Sequence, residues 1–126
     1  MKRISLLTAF FVFIFAGSLF AASAVFFCHI TGIIGYKYGC DTVKNAEENA
    51  YLFCINNGGK NPVCVDSNES GGYGVVMWAE DSGNKKWCSA VLSASSDAKA
   101  MKQANDMLIS VGATRNSGYN RFYDPH

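Results

Sequence analysis

Histidine is scarce in this chain of 126 residues, which contains only His29 and the C-terminal His126. A cysteine or serine hydrolase needs a base, most often histidine, within hydrogen-bond reach of its nucleophile. His126 is the last residue and His29 falls in a predicted strand or turn, so neither marks a catalytic set. We therefore predict no catalytic residues.

Closely spaced cysteines are also lacking. The five cysteines never form a C-x-x-C motif, which argues against a zinc site and against a thioredoxin-like redox pair. They are Cys28, Cys40, Cys54, Cys64 and Cys88. From this spacing we predict no metal and no cofactor. In a small exported chain the same cysteines indicate a disulfide framework, and their odd number leaves at least one thiol over.

An excess of basic charge is absent, because 11 Lys and Arg face 10 Asp and Glu. No basic stripe remains that could neutralise phosphates, which argues against a nucleic-acid partner.

The long apolar run of the chain lies at the N-terminus. Lys2 and Arg3 precede an apolar segment from Ile4 to Phe15, and small residues follow. This layout is typical of a secretory signal peptide, which we predict over residues 1–24, with cleavage after Ala24 or alternatively after Ala21. The run is shorter than a spanning helix needs, so we expect no stable membrane span after cleavage. The predicted location is secreted or periplasmic.

A repeat organises the rest of the chain. An offset of 54 residues places Ala46 on Ala100, Ala50 on Ala104 and Gly58 on Gly112. Each copy has the apolar spacing of a helix with one buried face, a capping residue before it (Asp41 or Thr42, Ser95 or Ser96) and a glycine after it. Hairpin patterns precede both helices and a third strand follows each. We predict an α+β fold in which a β-β-α-β unit is duplicated, with helices packed on antiparallel sheet. The units are residues 25–66 and 73–126, joined by a polar linker at 67–72.

The second predicted hairpin carries both tryptophans. A loop at residues 81–84 would place Trp78 opposite Trp87, on the face away from the core side chains, which we predict to be Val75, Met77, Ala79, Cys88, Ala90 and Leu92. Two adjacent indoles, with Tyr73 at the start of the strand, would form a platform for a sugar ring or a protein partner. Alternatively, the indoles cover a second hydrophobic layer or stabilise the hairpin as a cross-strand pair.

The stretch "YGVVMWAEDSGNKKWCSAVLSASSDAKAMKQA" is similar to the opening of the secreted bacterial domain of unknown function 4189. The resemblance implies export, a disulfide-bonded α+β domain, and a bridge between a helix-end cysteine and a cysteine in the next strand. In this chain those are Cys54 and Cys64, and a bridge closing so short a loop would add roughly 2 to 3 kcal/mol. The second copy has Leu108 and Gly118 at these positions.

Three cysteines compete for a second bridge. Cys28 bonded to Cys88 would tie the copies together and leave Cys40 as a thiol at a helix start, where a thiolate is favoured. Alternatively, Cys40 pairs with Cys28 and has no chemical role. The hypothesis that follows is an exported, non-catalytic binding or inhibitor module of the bacterial envelope, whose partner is a protein or glycan. The alternatives are a small thiol-dependent enzyme using Cys40, and a structural envelope protein that forms disulfide-linked dimers.

Overall fold

The structure is a computed structural model that describes residues 21–124. Its elements follow the predicted order twice, strand, strand, helix, strand. The first unit comprises β1 (Ala22–Phe27), β2 (Ile34–Cys40), α1 (Val43–Asn56) and β3 (Val63–Asn68). The second comprises β4 (Gly72–Glu80), β5 (Lys86–Ala94), α2 (Asp97–Ser110) and β6 (Arg115–Asp124). The predicted α+β fold with two similar sheet units is confirmed.

Both helices are built from equivalent residues. Thr42 caps α1 by accepting a hydrogen bond from the amide of Asn45 at 3.1 Å, and Ser96 caps α2 in the same way through Lys99 at 3.2 Å. Gly58 and Gly112 follow the helices with φ of 91° and 74°, values that favour glycine. The buried stripes, equivalent at the 54-residue offset, are Ala46, Ala50 and Cys54 in α1 and Ala100, Ala104 and Leu108 in α2.

Each unit forms its own antiparallel sheet, with strand orders β2-β1-β3 and β5-β4-β6. One face of each sheet holds its helix, and the other faces the opposite sheet. Val25 and Val76 are fully buried between the sheets, with Ala90 and Leu92 beside them. Tyr36, Tyr38 and Phe122 close one side of this interface by stacking. The layers therefore run helix, sheet, sheet, helix.

The second hairpin has a register that differs from the predicted one. Its loop spans residues 81–85, so Trp78 pairs with Cys88 and Ala79 pairs with Trp87. Opposed residues of an antiparallel pair share a face and neighbours along a strand do not. Trp78 therefore faces the other sheet while Trp87 faces α2, and the expected side-by-side indoles are not formed.

The same shift divides the predicted core face in two. On β4, the predicted core residues Val75, Met77 and Ala79 do share a face and pack under α2. On β5, Cys88, Ala90 and Leu92 lie on the opposite face, between the two sheets. One residue of difference in loop length therefore reverses the orientation of a whole strand.

Strand β1 contains the predicted signal-peptide boundary. It is the central strand of the first sheet, and both Ala22 and Ala24 are almost fully buried in it. Cleavage after Ala24 would remove half of this strand, whereas cleavage after Ala21 would leave it whole. Residues 1–20, which hold most of the predicted signal peptide, lie outside the described residues.

Candidate functional site

The three predicted binding residues lie in different places. Trp78 packs between the sheets over Gly118, where an added Cβ would come within 2.5 Å of the indole. Trp87 lies on the α2 side of β5, and Tyr73 lies on the same side at the far end of β4, where its ring is 4.6 Å from that of Tyr123. The structure does not bring the three side chains together into one surface.

Trp87 has a structural role at the hairpin loop. Its indole N–H donates to a carboxylate oxygen of Asp81 at 3.1 Å, and the Lys85 ammonium lies 4.4 Å from the ring centre. The hydrogen bond from Trp87, followed by that from the Lys85 amide, lowers the pKa of the Asp81 carboxyl. The Asp81 carboxylate also accepts from the amide of Gly83, which fixes the loop. Trp87 therefore contacts the loop of its own hairpin and not Trp78, so the expected cross-strand pair of indoles is not formed.

A groove runs between α2 and β6 on the outer surface of the second unit. Because α2 packs across β4 and β5, the edge strand β6 is left uncovered by the helix. The groove has a volume of about 520 Å³, and its lining residues are Met77, Met101, Lys102, Asn105, Ser117, Gly118 and Tyr119. Its position on an edge strand leaves it accessible from solution.

The side chains of the groove follow from strand and helix periodicity. Tyr119 pairs with Met77, so both project toward the α2 side of the sheet. Met101 and Asn105 are four residues apart and so lie on one flank of α2. Gly118 has no side chain, and its neighbour Trp78 projects to the other face. The result is an apolar floor of two methionines, a tyrosine wall and a polar rim.

The charges around the groove are balanced. Lys102 forms an ion pair with Asp106 at 2.7 Å, and the hydrogen bond that its ammonium donates to the Asp106 carboxylate raises the pKa of this lysine. Arg121 forms an ion pair with Asp97 at 2.6 Å, and its guanidinium carbon is 5.7 Å from the centre of the Tyr119 ring. A site of this kind favours an uncharged ligand with both apolar faces and hydroxyl or amide groups.

Sequence reasoning missed this groove. A signal for it exists in "GYNRFY", because alternation places Tyr119, Arg121 and Tyr123 on one face of a strand. The identity of that face could not be read from the strand alone, since it depends on where α2 crosses the sheet.

The cysteines form no bridge with one another. The predicted pair, Cys54 and Cys64, is not bonded in this structure. Cys54 lies above Gly35, where an added Cβ would be 2.9 Å from its Sγ, and Gly35, Phe26 and Cys64 form a row across three strands. Cys64 lies on β3, beyond the Phe26 position of β1, whose carbonyl oxygen is 3.6 Å from the Cys54 Sγ. The Phe26 ring, which packs edge-on against Tyr51, stands on this row.

Cys40 and His29 are at opposite ends of the first sheet. Cys40 pairs with Ala22 at the start of β1, and His29 follows the end of that strand. A six-residue strand is about 17 Å long, so His29 is far outside hydrogen-bond reach of the thiol. Cys40 is also buried at the sheet–helix contact. Within residues 21–124, this arrangement leaves Cys40 without the His29 base that the thiol-enzyme alternative would need, and His126 lies outside the described residues.

Cys28 and Cys88, the other candidates for a bridge, differ in environment and lie on different faces. Cys28 is fully buried beside Lys60, whereas Cys88 packs between the sheets. Burial, reinforced by Cys54, raises the pKa of the Cys88 thiol to about 12. Among residues 21–124 no three His, Cys, Asp or Glu side chains converge into a metal-binding group, and no helix there is long and apolar enough to cross a membrane.

Comparison of the chain with protein-family models, with curated proteins and with solved structures finds no match. The resemblance to domain of unknown function 4189 therefore remains an expectation.

Proposed function

We propose that this protein is an exported, non-catalytic binding module of the bacterial envelope that recognises a glycan through the groove between α2 and β6. The observation that carries the proposal is the combination of an exposed tyrosine ring, a methionine floor and a polar rim in one open cleft. This groove replaces the tryptophan pair as the expected contact surface.

The chemistry of the groove suits a sugar better than a charged ligand. A tyrosine ring can stack against the apolar face of a pyranose, and half of the Tyr119 surface is exposed. The amide of Asn105 and the hydroxyl of Ser117 can each donate and accept hydrogen bonds, which matches sugar hydroxyls. Because Lys102 is already paired with Asp106, the rim carries little net charge. Polar groups that converge on an apolar cleft are typical of small-ligand sites.

The test uses glycan strands released from peptidoglycan by a muramidase, titrated into isotope-labelled protein and followed by amide chemical shifts. We expect shifts at residues lining the groove, and at least a tenfold loss of affinity in Tyr119→Ala, since stacking and hot-spot aromatic contacts commonly contribute more than about 1.4 kcal/mol. Tyr123→Ala is the matched control. It removes the same side chain from the same face of β6, and Tyr123 is as exposed as Tyr119 but does not line the groove.

Two results would count against the proposal. Shifts confined to another surface would relocate the site, and equal affinities of Tyr119→Ala and Tyr123→Ala would show that the groove makes no contact. A photo-crosslinker at position 119 that captures an envelope protein, with no shifts from glycan, would favour the inhibitor form of the hypothesis.

The second candidate, a disulfide-linked structural dimer, is favoured by Cys64. This cysteine is exposed on the edge strand β3, whereas Cys28, Cys40 and Cys54 are buried. A dimer band on a non-reducing gel that disappears in Cys64→Ser would support it. A monomeric wild type under oxidising conditions would contradict it.

A further inference from the structure

Two buried cysteines lie on the same side of the first sheet. Along β1, alternate residues such as Ala24 and Phe26 face α1, and Cys28 continues this series just after the strand. Cys54, in the last turn of α1, projects down to the same side. Both side chains are fully buried.

The carbonyl oxygen of Ile33 lies close to both cysteines. It accepts the amide hydrogen of Cys28 at 2.9 Å, and it lies 4.0 Å from the Sγ of Cys54. The segment that follows α1 touches both residues as well. The amide of Gly59 donates to the Cys54 carbonyl at 2.7 Å, and the amide of Lys60 donates to the Cys28 Sγ at 3.2 Å. The two cysteines therefore both lie near the closed end of the β1–β2 hairpin.

The second unit gives an independent measure of this proximity. The pairing within the two hairpins makes Val25 of β1 equivalent to Val76 of β4, and Phe27 equivalent to Trp78. Cys28 of the first unit is then equivalent to Ala79 of the second. Cys54 is equivalent to Leu108 at the 54-residue offset. In the second unit Ala79 and Leu108 belong to one buried cluster. Equivalent positions in the first unit are therefore expected to be neighbours.

We propose that Cys28 and Cys54 form a disulfide when the protein is exposed to an oxidising thiol–disulfide partner. Cys88 is a weaker candidate for Cys54, because it packs against Ile34 and Val65 on the other face of the first sheet. Cys64 is separated from Cys54 by the Phe26 position. The pair replaces the bridge that the family resemblance implied.

The two thiols differ in pKa, and this difference determines which of them reacts first. Burial acts to raise the pKa of Cys28, but hydrogen bonds from Thr31, Lys60 and Ile30 outweigh it and lower the pKa to about 7. Burial, reinforced by Cys28, raises the pKa of Cys54. The thiolate is the attacking species in exchange, so Cys28 reacts first.

With oxidised glutathione the exchange has two steps. The Cys28 thiolate attacks one glutathione sulfur, which forms a mixed disulfide and releases a glutathione thiolate. Cys54 then loses its proton to solvent and attacks the Cys28 Sγ, which releases the second glutathione thiolate. Two protein thiols are thereby oxidised and one glutathione disulfide is reduced to two thiols. Since Lys60 covers Cys28, the segment that joins α1 to β3 has to open for the first step.

The experiment incubates the reduced wild-type protein with oxidised glutathione, blocks remaining thiols after denaturation, and maps linked peptides by mass spectrometry. We expect a Cys28–Cys54 peptide, and an oxidised form that melts roughly 10 °C or more above the reduced form. Cys28→Ala, which introduces the residue of the second unit, should lose both the link and the shift. Cys64→Ala, the matched control, should keep both.

A link from Cys54 to Cys64 or Cys88 would overturn the pairing. So would complete blocking of both Cys28 and Cys54 after oxidation. Because mapping is done on the wild type, the outcome does not depend on whether any variant folds. It is also independent of glycan binding, which is measured at the other unit.

Discussion

The substitution Gly35→Ala tests how closely α1 approaches its sheet. A Cβ added at this residue of β2 would be 2.2 Å from the Ala50 carbonyl oxygen and 2.9 Å from the Cys54 Sγ. Real Cβ atoms essentially never come closer than 3.0 Å to such an atom, so the shortfall at the carbonyl is about 0.8 Å. The obstructing atom belongs to the helix backbone and cannot rotate away. Gly35→Ala therefore has to push α1 off the sheet.

The expected cost combines two opposing effects. Replacing glycine by alanine in an unstrained position stabilises by about 0.4–1 kcal/mol, because the unfolded chain loses freedom. Overpacking a core contact costs about 1–3 kcal/mol. Since the helix must move as a unit, we expect a net loss of about 1–2 kcal/mol. In a domain of this size that lowers the melting temperature by roughly 5–15 °C.

Thermal unfolding followed by circular dichroism measures this loss. Gly83→Ala is the control, because a Cβ there meets only an Asp81 carboxylate oxygen at 3.5 Å, an ordinary contact. We expect the control to stay within about 0.5 kcal/mol of wild type. If Gly35→Ala melts together with Gly83→Ala, the close approach of α1 is refuted.

Four further predictions rest on particular contacts. The exported protein should begin at Ala22, because cleavage there keeps β1 whole; an N-terminal sequence starting at Val25 would contradict this. In the reduced protein a thiolate absorbance should appear with a midpoint near pH 7 and be absent in Cys28→Ala. The lowered pKa also makes reduced wild type gain stability as pH rises from about 7 to 9 and lose it as pH falls through 7, and Cys28→Ala should lack this trend. Ser89→Ala should cost about 1 kcal/mol in denaturant unfolding, since it removes a buried hydrogen bond of 2.9 Å to the Ala104 carbonyl.

The helices could be predicted because their information is local. Caps, glycine stops and a one-sided apolar stripe all act within a few residues, and the 54-residue offset repeated them together. The offset also held at a detail that no pattern predicted. Gly39 and Ser93 both have positive φ, and each lies at the register shift near the end of its hairpin.

Hairpin register could not be predicted, because it depends on the loop contacts. Asp81 accepts from both Gly83 and Lys85, which fixes a five-residue loop where the turn residues alone suggested four. For this reason the predicted surface of Trp78 and Trp87 is not formed. The groove could not be predicted either, because the sequence of β6 does not indicate which part of the sheet α2 covers.

The two units share a backbone plan and differ in how the helix meets its third strand. In the first unit α1 extends over β3, whereas in the second unit α2 stays on β4 and β5 and leaves β6 open. Side chains at equivalent positions differ accordingly. Where the first unit has Cys54 above Gly35, the second has Leu108 in the buried stripe and Ser89 bonded to the helix backbone. The covered unit thus encloses Cys28 and Cys54, and the uncovered unit holds the groove. On this reasoning, oxidation should stabilise the first unit and leave glycan affinity at Tyr119 unchanged.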